Sequence, residues 1–317
     1  MRKIKKISKL CLESLILLIC LFILNNLFNY LDLSGQKQVN ELNSTSVENK
    51  VNLSQNDNND NKVIDNLKHM KLHYIDVGEG DSIFIELPNE KTMLIDAGET
   101  SEGDTVLNYI KQLGYSNIDY IVGTHPHTDH IGGLAQIINS FSVGKIYMPK
   151  AISTSKTYEN LLNTISMKGL KIQTAKAGVN IINENNLLVD IIAPNSDSYS
   201  DLNNYSAVIK ITYQNMKFIF MGDAEIISEN EILTDVTADI IKVGHHGSNT
   251  SSGQDFVSRV NAKYAIISVG SDNNYNHPNM DIVDRWKTSG AKVYRTDLNG
   301  TIIVTTDGNT LNIETEK

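Results

Sequence analysis

The chain has 317 residues, a formal net charge of −9 and 40% apolar residues. This length allows one large domain or two ordinary ones, with enough apolar residues for a substantial core. The acidic balance disfavours a broad polyanion-binding surface, so contact with nucleic acid would need a local basic patch or bound metal. Both cysteines, Cys11 and Cys20, lie near the N-terminus. The rest of the chain therefore has no thiolate nucleophile and no cysteine-based metal site.

Residues 1–30 predict a signal anchor or a signal peptide. Basic residues crowd the first nine positions, and an unbroken apolar run of ten follows at Leu15–Leu24. The run is short for a complete membrane span and also suits the apolar part of a signal peptide. No small-x-small cleavage site follows, which favours an uncleaved apolar helix with its basic end inside the cell. In both cases we expect an extracytoplasmic protein, either secreted or held at the membrane by this segment.

Residues 31–68 predict a disordered, Asn-rich linker. They contain nine Asn, three Gln and four Ser, and they show no hydrophobic periodicity. Such a composition does not bury enough apolar surface to fold. The segment fits two interpretations equally well, a spacer that holds a domain away from the membrane and a stretch without a role.

Residues 69–317 predict one α/β domain. Short β-rich runs dominate both halves, helices separate them, and no Gly-rich nucleotide-binding motif follows a strand. We therefore expect two packed sheets with helices outside. The predicted strands are Lys71–Val77, Ser82–Leu87, Thr92–Asp96, Tyr120–Gly123, Leu187–Ile192, Ala207–Tyr213, Lys217–Met221, Ile240–Val243, Tyr264–Val269, Lys292–Asp297 and Gly300–Thr306; the predicted helices are Thr105–Leu113, Tyr158–Lys168, Ala224–Leu233 and Ile282–Trp286.

The strongest functional signal is a cluster of metal-ligand residues after a predicted strand. It consists of His125, His127, Asp129 and His130, followed by a Gly-Gly turn. Three imidazoles and a carboxylate within six residues are costly in a packed core unless something binds them. Zinc, manganese and iron accept these ligands. The alternative is an exposed histidine cluster that binds metal incidentally, but a strand end is a typical site position in α/β folds.

Two later strand ends carry further residues of this kind. Asp223 follows an apolar strand, and its carboxylate could bridge two cations or cap the next helix. His245 and His246 follow another strand. Because three separate strand ends present ligand-type residues, we favour a metal site.

These motifs resemble the metallo-β-lactamase superfamily in kind and order. The resemblance rests on Leu94–Gly98, His125–His130, Gly222–Asp223 and Gly244–Ser248. Two further segments, Ile75–Ser82 and Asn274–Pro278, are similar to the soluble hydrolase domain of the ComEC/Rec2 competence proteins. The resemblance implies an αββα sandwich with a dinuclear metal site at the sheet edges. In that group the domain is linked to a DNA-uptake channel and is thought to degrade one DNA strand.

The resemblance also implies roles for individual residues. Two divalent ions, zinc or manganese, are expected. His125 and His127 would bind the first ion, Asp129 and His130 the second, and Asp223 would bridge them. Either His245 or His246 would complete the second ion, and we favour His245 because its Gly-His order matches the last histidine motif of the family. Asp96 would orient a ligand, and His277 would protonate a leaving group or bind phosphate, unless it is only a surface loop residue. Further residues expected to support the site or contact substrate are Asp81, Asn204, Ser206, His246 and Ser248.

One ligand of the family pattern is missing. Many members bring another histidine to the first ion before the bridging acid, but residues 131–222 contain none. The polar stretch of residues 203–206 occupies that place. The first ion is therefore open on one side or completed by water and an amide oxygen.

These observations predict an exported hydrolase that uses metal-activated hydroxide, with Asp129, Asp223 and His277 in catalysis. A phosphodiester is the preferred substrate, with DNA as one candidate, and no obligate protein partner is evident. The alternatives are a cell-wall phosphodiesterase, a small ester or lactam hydrolase, and a membrane-tethered binding module without activity. A nuclease needs basic residues along its groove, for which the candidates are Lys145, Lys150, Lys156, Lys242, Arg285 and Arg295.

Overall fold

A computed structural model describes residues 68–184 and 186–317. The predicted N-terminal segment, 1–30, and the predicted linker apart from its last residue lie outside these ranges. Within the described ranges, no helix is both long enough and apolar enough to cross a membrane.

The strands of the described residues form two sheets. In chain order the strands are β1 (Met70–Tyr74), β2 (Ile83–Glu86), β3 (Thr92–Ile95), β4 (Asn117–Val122), β5 (Ser142–Met148), β6 (Ile172–Thr174), β7 (Val179–Glu184), β8 (Leu187–Ala193), β9 (Val208–Tyr213), β10 (Met216–Phe220), β11 (Ile240–Lys242), β12 (Tyr264–Ile267), β13 (Lys292–Arg295), β14 (Ile302–Thr306) and β15 (Leu311–Thr315). The first sheet has the order β15-β14-β1-β2-β3-β4-β5-β6, and the second has the order β13-β12-β11-β10-β9-β8-β7. In each sheet an antiparallel half continues into a parallel half: β3 to β6 are parallel, and so are β10 to β13.

Helices cover the outer face of each sheet. They are α1 (Gly103–Gln112), α2 (Thr128–Ile131), α3 (Leu134–Ser140), α4 (Lys156–Met167), α5 (Ile226–Glu231), α6 (Gln254–Val260), α7 (Met280–Thr288) and α8 (Thr296–Asn299). Apolar residues of α1 to α4 pack on the first sheet, and those of α6 and α7 pack on the second. A third apolar cluster lies between the sheets. This arrangement confirms the predicted two-sheet α/β sandwich.

The strand β10 shows how the sequence produces these layers. Side chains of a strand alternate between the two faces of its sheet. Phe218 and Phe220 accordingly belong to the cluster between the sheets, whereas Ile219 packs beneath the helices of the second sheet. Because both faces are covered there, the last three residues of the strand are all apolar.

Most predicted elements are present, with shifted ends. The predicted helix Ala224–Leu233 is wrong at its start, because α5 begins at Ile226 with Glu225 at its N-cap position. Asp223 therefore does not cap it. The prediction missed β5, whose N-terminal half lies largely exposed and shows no regular alternation.

Glu229 of α5 anchors the loop that follows the histidine pair. Its side chain is fully buried, and its two carboxylate oxygens accept hydrogen bonds from the backbone N–H groups of Ser252 and Gly253. Burial raises the pKa of Glu229 to about 7, although these hydrogen bonds and the neighbouring Arg285 and Arg259 lower it.

We expect a pH-dependent stability from this carboxyl group. Its pKa rises from 4.5 to about 7 on folding, so the unfolding free energy falls as the pH rises through this range. Glutamine at this position does not titrate. Between pH 5 and pH 8, the unfolding free energy of the wild type should therefore fall by about 3 kcal/mol relative to that of the Glu229→Gln variant. Urea unfolding at both pH values measures the difference, with the exposed Glu159→Gln as control. A difference that is constant with pH would contradict the expectation.

Candidate metal centre

The side chains predicted to bind metal meet where strands of both sheets end. The segment His125–His130 follows β4, Asp223 follows β10 and His246 follows β11. Because β10 and β11 are parallel neighbours, their carboxyl ends lie at the same edge of the second sheet. A cavity of about 330 Å³ lies here, lined by Glu79, His127, Thr128, Asp129, Asn203, Asp223, His245, His246, Tyr275 and His277.

Four residues form what we call the second donor group: Asp129, His130, Asp223 and His246. His130 Nε2 is 3.2 Å from Asp223 Oδ2 and 3.3 Å from His246 Nε2. Asp129 Oδ2 is 3.4 Å from Nε2 of each of these imidazoles. Two ligands of one tetrahedral zinc ion are roughly 3.3–3.5 Å apart, given zinc–ligand distances of about 2.0–2.2 Å. The four donors therefore have the spacing of a shared ion.

The first donor group consists of His125, His127 and Asp223. His125 Nε2 is 3.0 Å from His127 Nδ1 and 3.7 Å from Asp223 Oδ2. Asp223 thus belongs to both groups, which is the arrangement that a bridging carboxylate requires.

The charges of this cluster fit divalent cations. Burial opposes protonation of His130 and His246, but Asp223 and Asp129 raise the pKa of His130 well above its usual range and the pKa of His246 to about 10. Burial, by contrast, holds the pKa of His125 well below its usual value. Asp223 Oδ1 is buried and has no hydrogen-bond donor among the described residues. The carboxylates thus attract positive charge to the point where the imidazoles meet, and a metal ion can supply it in place of protons.

Asp96 fixes the ring of His130. Its Oδ2 lies 2.9 Å from His130 Nδ1 and accepts a hydrogen bond from the Thr124 hydroxyl at 2.6 Å. Its Oδ1 accepts the Thr124 backbone N–H at 2.8 Å. Because Nδ1 is engaged, Nε2 of His130 is the nitrogen available to the second donor group.

Ser206 contacts two members of the first donor group. Its hydroxyl accepts the backbone N–H of Asp223 at 3.0 Å and lies 3.3 Å from His125 Nδ1. In a similar way, Nδ1 of His246 donates to the Ser268 carbonyl oxygen at 2.9 Å. These contacts leave Nε2 of both imidazoles for the donor groups.

A buried ion pair lies behind the imidazoles. Lys242 is fully buried, contacts Asp81 Oδ2 and donates to the Gly222 carbonyl oxygen at 3.2 Å. Asp81 in turn lies 3.8 Å from His130 Nδ1 and 3.7 Å from His246 Nδ1. Lys242 therefore neutralises an acid behind the second donor group and holds the backbone next to Asp223.

His277 faces the cavity with Glu79 as its partner. Glu79 Oε1 is 2.8 Å from His277 Nδ1, and Glu79 Oε2 accepts the Gly270 N–H at 2.9 Å. Burial opposes ionisation of Glu79, but the bond to His277 and the charge of His246 lower its pKa. Tyr275, which is 68% exposed, stacks on the His277 ring.

The structure brings most of the predicted site residues together, with three exceptions. His246, and not the predicted His245, belongs to the second donor group. Asn204 does not line the cavity, because its amide bonds Glu225 and the backbone of Ser228; its neighbour Asn203 lines it instead. Ser248 contacts Thr250 and shapes the loop rather than the cavity.

Three of the candidates for a basic groove are engaged elsewhere. Lys242 is buried, and Arg285 donates to the Ser252 carbonyl oxygen. Arg295 forms a strand-end ion pair with Asp297, the role that the sequence favours for it over contact with substrate. Lys150 and Lys156 are exposed near the N-terminus of α4, where the side chain of Thr157 is 3.2 Å from that of the cavity residue Thr128. The cavity lining itself contains no Lys or Arg among the described residues.

Comparison with known proteins agrees with this site. A model of the metallo-β-lactamase superfamily matches residues 75–271, and the chain belongs to this superfamily. It is 31% identical over 252 residues to ComE operon protein 3 of Bacillus subtilis, covering 73% of this chain and 32% of that protein. It is 25% identical over 241 residues to Recombination protein 2 of Haemophilus influenzae, covering 73% and 28%. The chain thus spans about a third of the length of these curated relatives.

Solved structures share the fold. Igni18, a metallo hydrolase from Ignicoccus hospitalis, matches with a TM-score of 0.51 at 15% identity, covering 74% of this chain and 98% of that one. CmlA, a diiron β-hydroxylase from Streptomyces venezuelae, matches with a TM-score of 0.50 at 16% identity, covering 75% and 54%. Because one fold carries both chemistries, the reaction must be argued from the site.

We expect the contributions of Lys242 and Asp81 to the unfolding free energy to depend strongly on each other. Lys242→Met leaves the Asp81 carboxylate buried without its cation, which should cost roughly 3–5 kcal/mol of unfolding free energy. Adding Asp81→Asn removes the orphaned charge, so the double variant should be more stable than Lys242→Met alone. Urea unfolding of the metal-free chain measures both. A double variant that is less stable than Lys242→Met would contradict this coupling.

Proposed function

We propose that the chain is a metal-dependent phosphodiesterase that cleaves DNA. The observation that carries the proposal is the carboxylate of Asp223, which is shared by two donor groups at the wall of an open cavity. His125 and His127 would hold one ion with Asp223, and Asp129, His130 and His246 would hold the other. Two divalent ions would supply an activated water and stabilise negative charge on the attacked group at neutral pH.

The charge of the cavity supports a metal-dependent reaction on an anion. Its lining contains Glu79, Asp129 and Asp223, and the described lining residues include no Lys or Arg. Without metal, protonated His130 and His246 offset part of this negative charge, and bound ions would take the place of those protons. The positive charge that binds the substrate would then come from the ions, assisted for a long polyanion by the exposed Lys150 and Lys156.

Three further points bear on substrate and location. The curated relatives are named as competence and recombination proteins, which favours DNA. The predicted N-terminal apolar segment favours action outside the cytoplasm.

A small phosphodiester, as in a wall polymer, is the second candidate substrate. It is favoured by the absence of Lys and Arg from the described lining of the cavity, because a long DNA strand would need basic side chains there.

His277 is suited to protonate the leaving group. Hydrolysis breaks a P–O bond, water contributes its hydroxyl to phosphorus, and the departing oxygen needs a proton. Glu79 engages Nδ1 of His277, so Nε2 is the nitrogen from which the proton would be delivered. Glu79 would keep the ring in the orientation that this delivery requires.

The decisive test is hydrolysis by the full chain, stripped of metal and then loaded with zinc or manganese. Single-stranded DNA and a simple phosphodiester serve as substrates, and His127→Ala serves as the control. We expect wild type to cut DNA only with metal and the control to be inactive. Turnover of the small diester alone would contradict the proposal of DNA cleavage and would support a phosphodiesterase that acts on small molecules or on wall polymers. Binding without turnover of either substrate would contradict an enzyme and favour a binding module.

The role of His277 predicts a dependence on the leaving group. His277→Ala should lower kcat on DNA by about 10²–10⁴-fold, because an alkoxide leaves poorly without a proton. The same variant should lose less than about 10-fold on bis(p-nitrophenyl) phosphate, because nitrophenolate leaves without one. Steady-state kinetics on both substrates measures the contrast, with Tyr275→Phe as control. Equal losses on the two substrates would rule out proton donation.

A further inference from the structure

The first donor group has one donor fewer than the second, and a further histidine lies beside its shared carboxylate. His125, His127 and Asp223 supply three donors, and residues 131–222 supply no further imidazole. Yet the cavity is also lined by His245, which the second donor group does not use. His245 Nε2 is 3.8 Å from Asp223 Oδ2, nearly the same as the 3.7 Å between His125 Nε2 and this oxygen.

The backbone of the histidine pair is strained in a way that keeps both rings in the cavity. His245 has φ 48° and ψ 49°, and His246 has φ 50° and ψ 24°. Residues other than glycine rarely adopt this left-handed region, because their Cβ atom comes too close to the following carbonyl oxygen. In a continued strand, two consecutive side chains would point to opposite faces. Here the left-handed turn brings both imidazoles into one cavity, and such strain is concentrated at functional sites.

The ring of His245 is held as a metal ligand would be. Its Nδ1 is 3.0 Å from the Thr250 hydroxyl and 3.6 Å from Glu225 Oε1. A metal-bound histidine generally gives its other ring nitrogen to such a partner. Nε2 is therefore the nitrogen that faces the cavity, on the side of the shared carboxylate.

Asn203 lies beside this nitrogen. Its Nδ2 is 3.5 Å from His245 Nε2. The side chain is 6% exposed, and its Oδ1 is buried without a hydrogen-bond donor among the described residues. An orphaned buried carbonyl oxygen is costly, so Asn203 has an unsatisfied electron-pair donor at the cavity that it lines together with His245.

We propose that His245 supplies the third imidazole of the first ion, so that two consecutive histidines serve different ions. His246 completes the second donor group, and His245 replaces the histidine missing from the segment before Asp223. Asn203 adds an uncharged oxygen at the edge of the first ion. The inference rests on the two-ion site proposed above, and it is independent of the substrate.

The test is metal binding by the full chain without substrate, by calorimetric titration with manganese or zinc. The variant is His245→Gly, because glycine adopts φ 48° without strain. The metal-free variant should therefore melt at or above the wild-type temperature, which separates a binding defect from a folding defect. One of the two ions should bind at least about 10-fold more weakly, and added imidazole should restore its affinity.

A second variant identifies which ion is affected. His246→Gly, matched in backbone and chemistry, should weaken the other ion. In a His127→Ala background, His245→Gly should not weaken the remaining ion further. The inference is overturned if His245→Gly binds both ions like wild type, if both glycine variants lose the same ion, or if wild type binds fewer than two ions. Failure of wild type to cleave DNA would overturn the proposed function while leaving these binding results in force.

Discussion

The structure of the site depends on one shared carboxylate. Asp223 reaches the site from the second sheet, and its oxygens lie 3.2–3.7 Å from imidazole nitrogens of His125, His130 and His246. Two of these histidines come from the first sheet. The contact therefore joins strand ends of the two sheets. Packing between the sheets sets this agreement, because interdigitated apolar layers deform little.

The surrounding residues compensate for so many buried charges. Asp81, Asp96 and Asp223 are all nearly inaccessible, and isolated carboxylates in such surroundings would be protonated. Each therefore has a specific cationic or hydrogen-bonding partner: Lys242 for the first and His130 with Thr124 for the second. Among the described residues, Asp81 Oδ1 and Asp223 Oδ1 are both buried without a hydrogen-bond donor. Only Asp223 belongs to both donor groups, so its free oxygen lies where a shared ion would be bound.

Sequence reasoning found the parts of the site that depend on local order. His125 to His130 lie within six residues after a strand, so their proximity needs no knowledge of the fold. The order of His245 and His246 could not be resolved in this way, because it depends on a left-handed turn that only the packed loop imposes. Lys242 was misplaced for the same reason. From the sequence alone, a lysine at the end of a strand is expected to be exposed. Its burial is energetically acceptable only because the fold places Asp81, from a distant part of the chain, in contact with it.

The acidic lining of the cavity also affects the order in which the partners bind. A phosphodiester that approaches the metal-free protein meets Glu79, Asp129 and Asp223 without an opposing lysine or arginine in the lining. For the proposed phosphodiester reaction, ions that reverse the sign of this local potential would have to bind before the substrate. Activity would then depend on the supply of divalent metal around the protein.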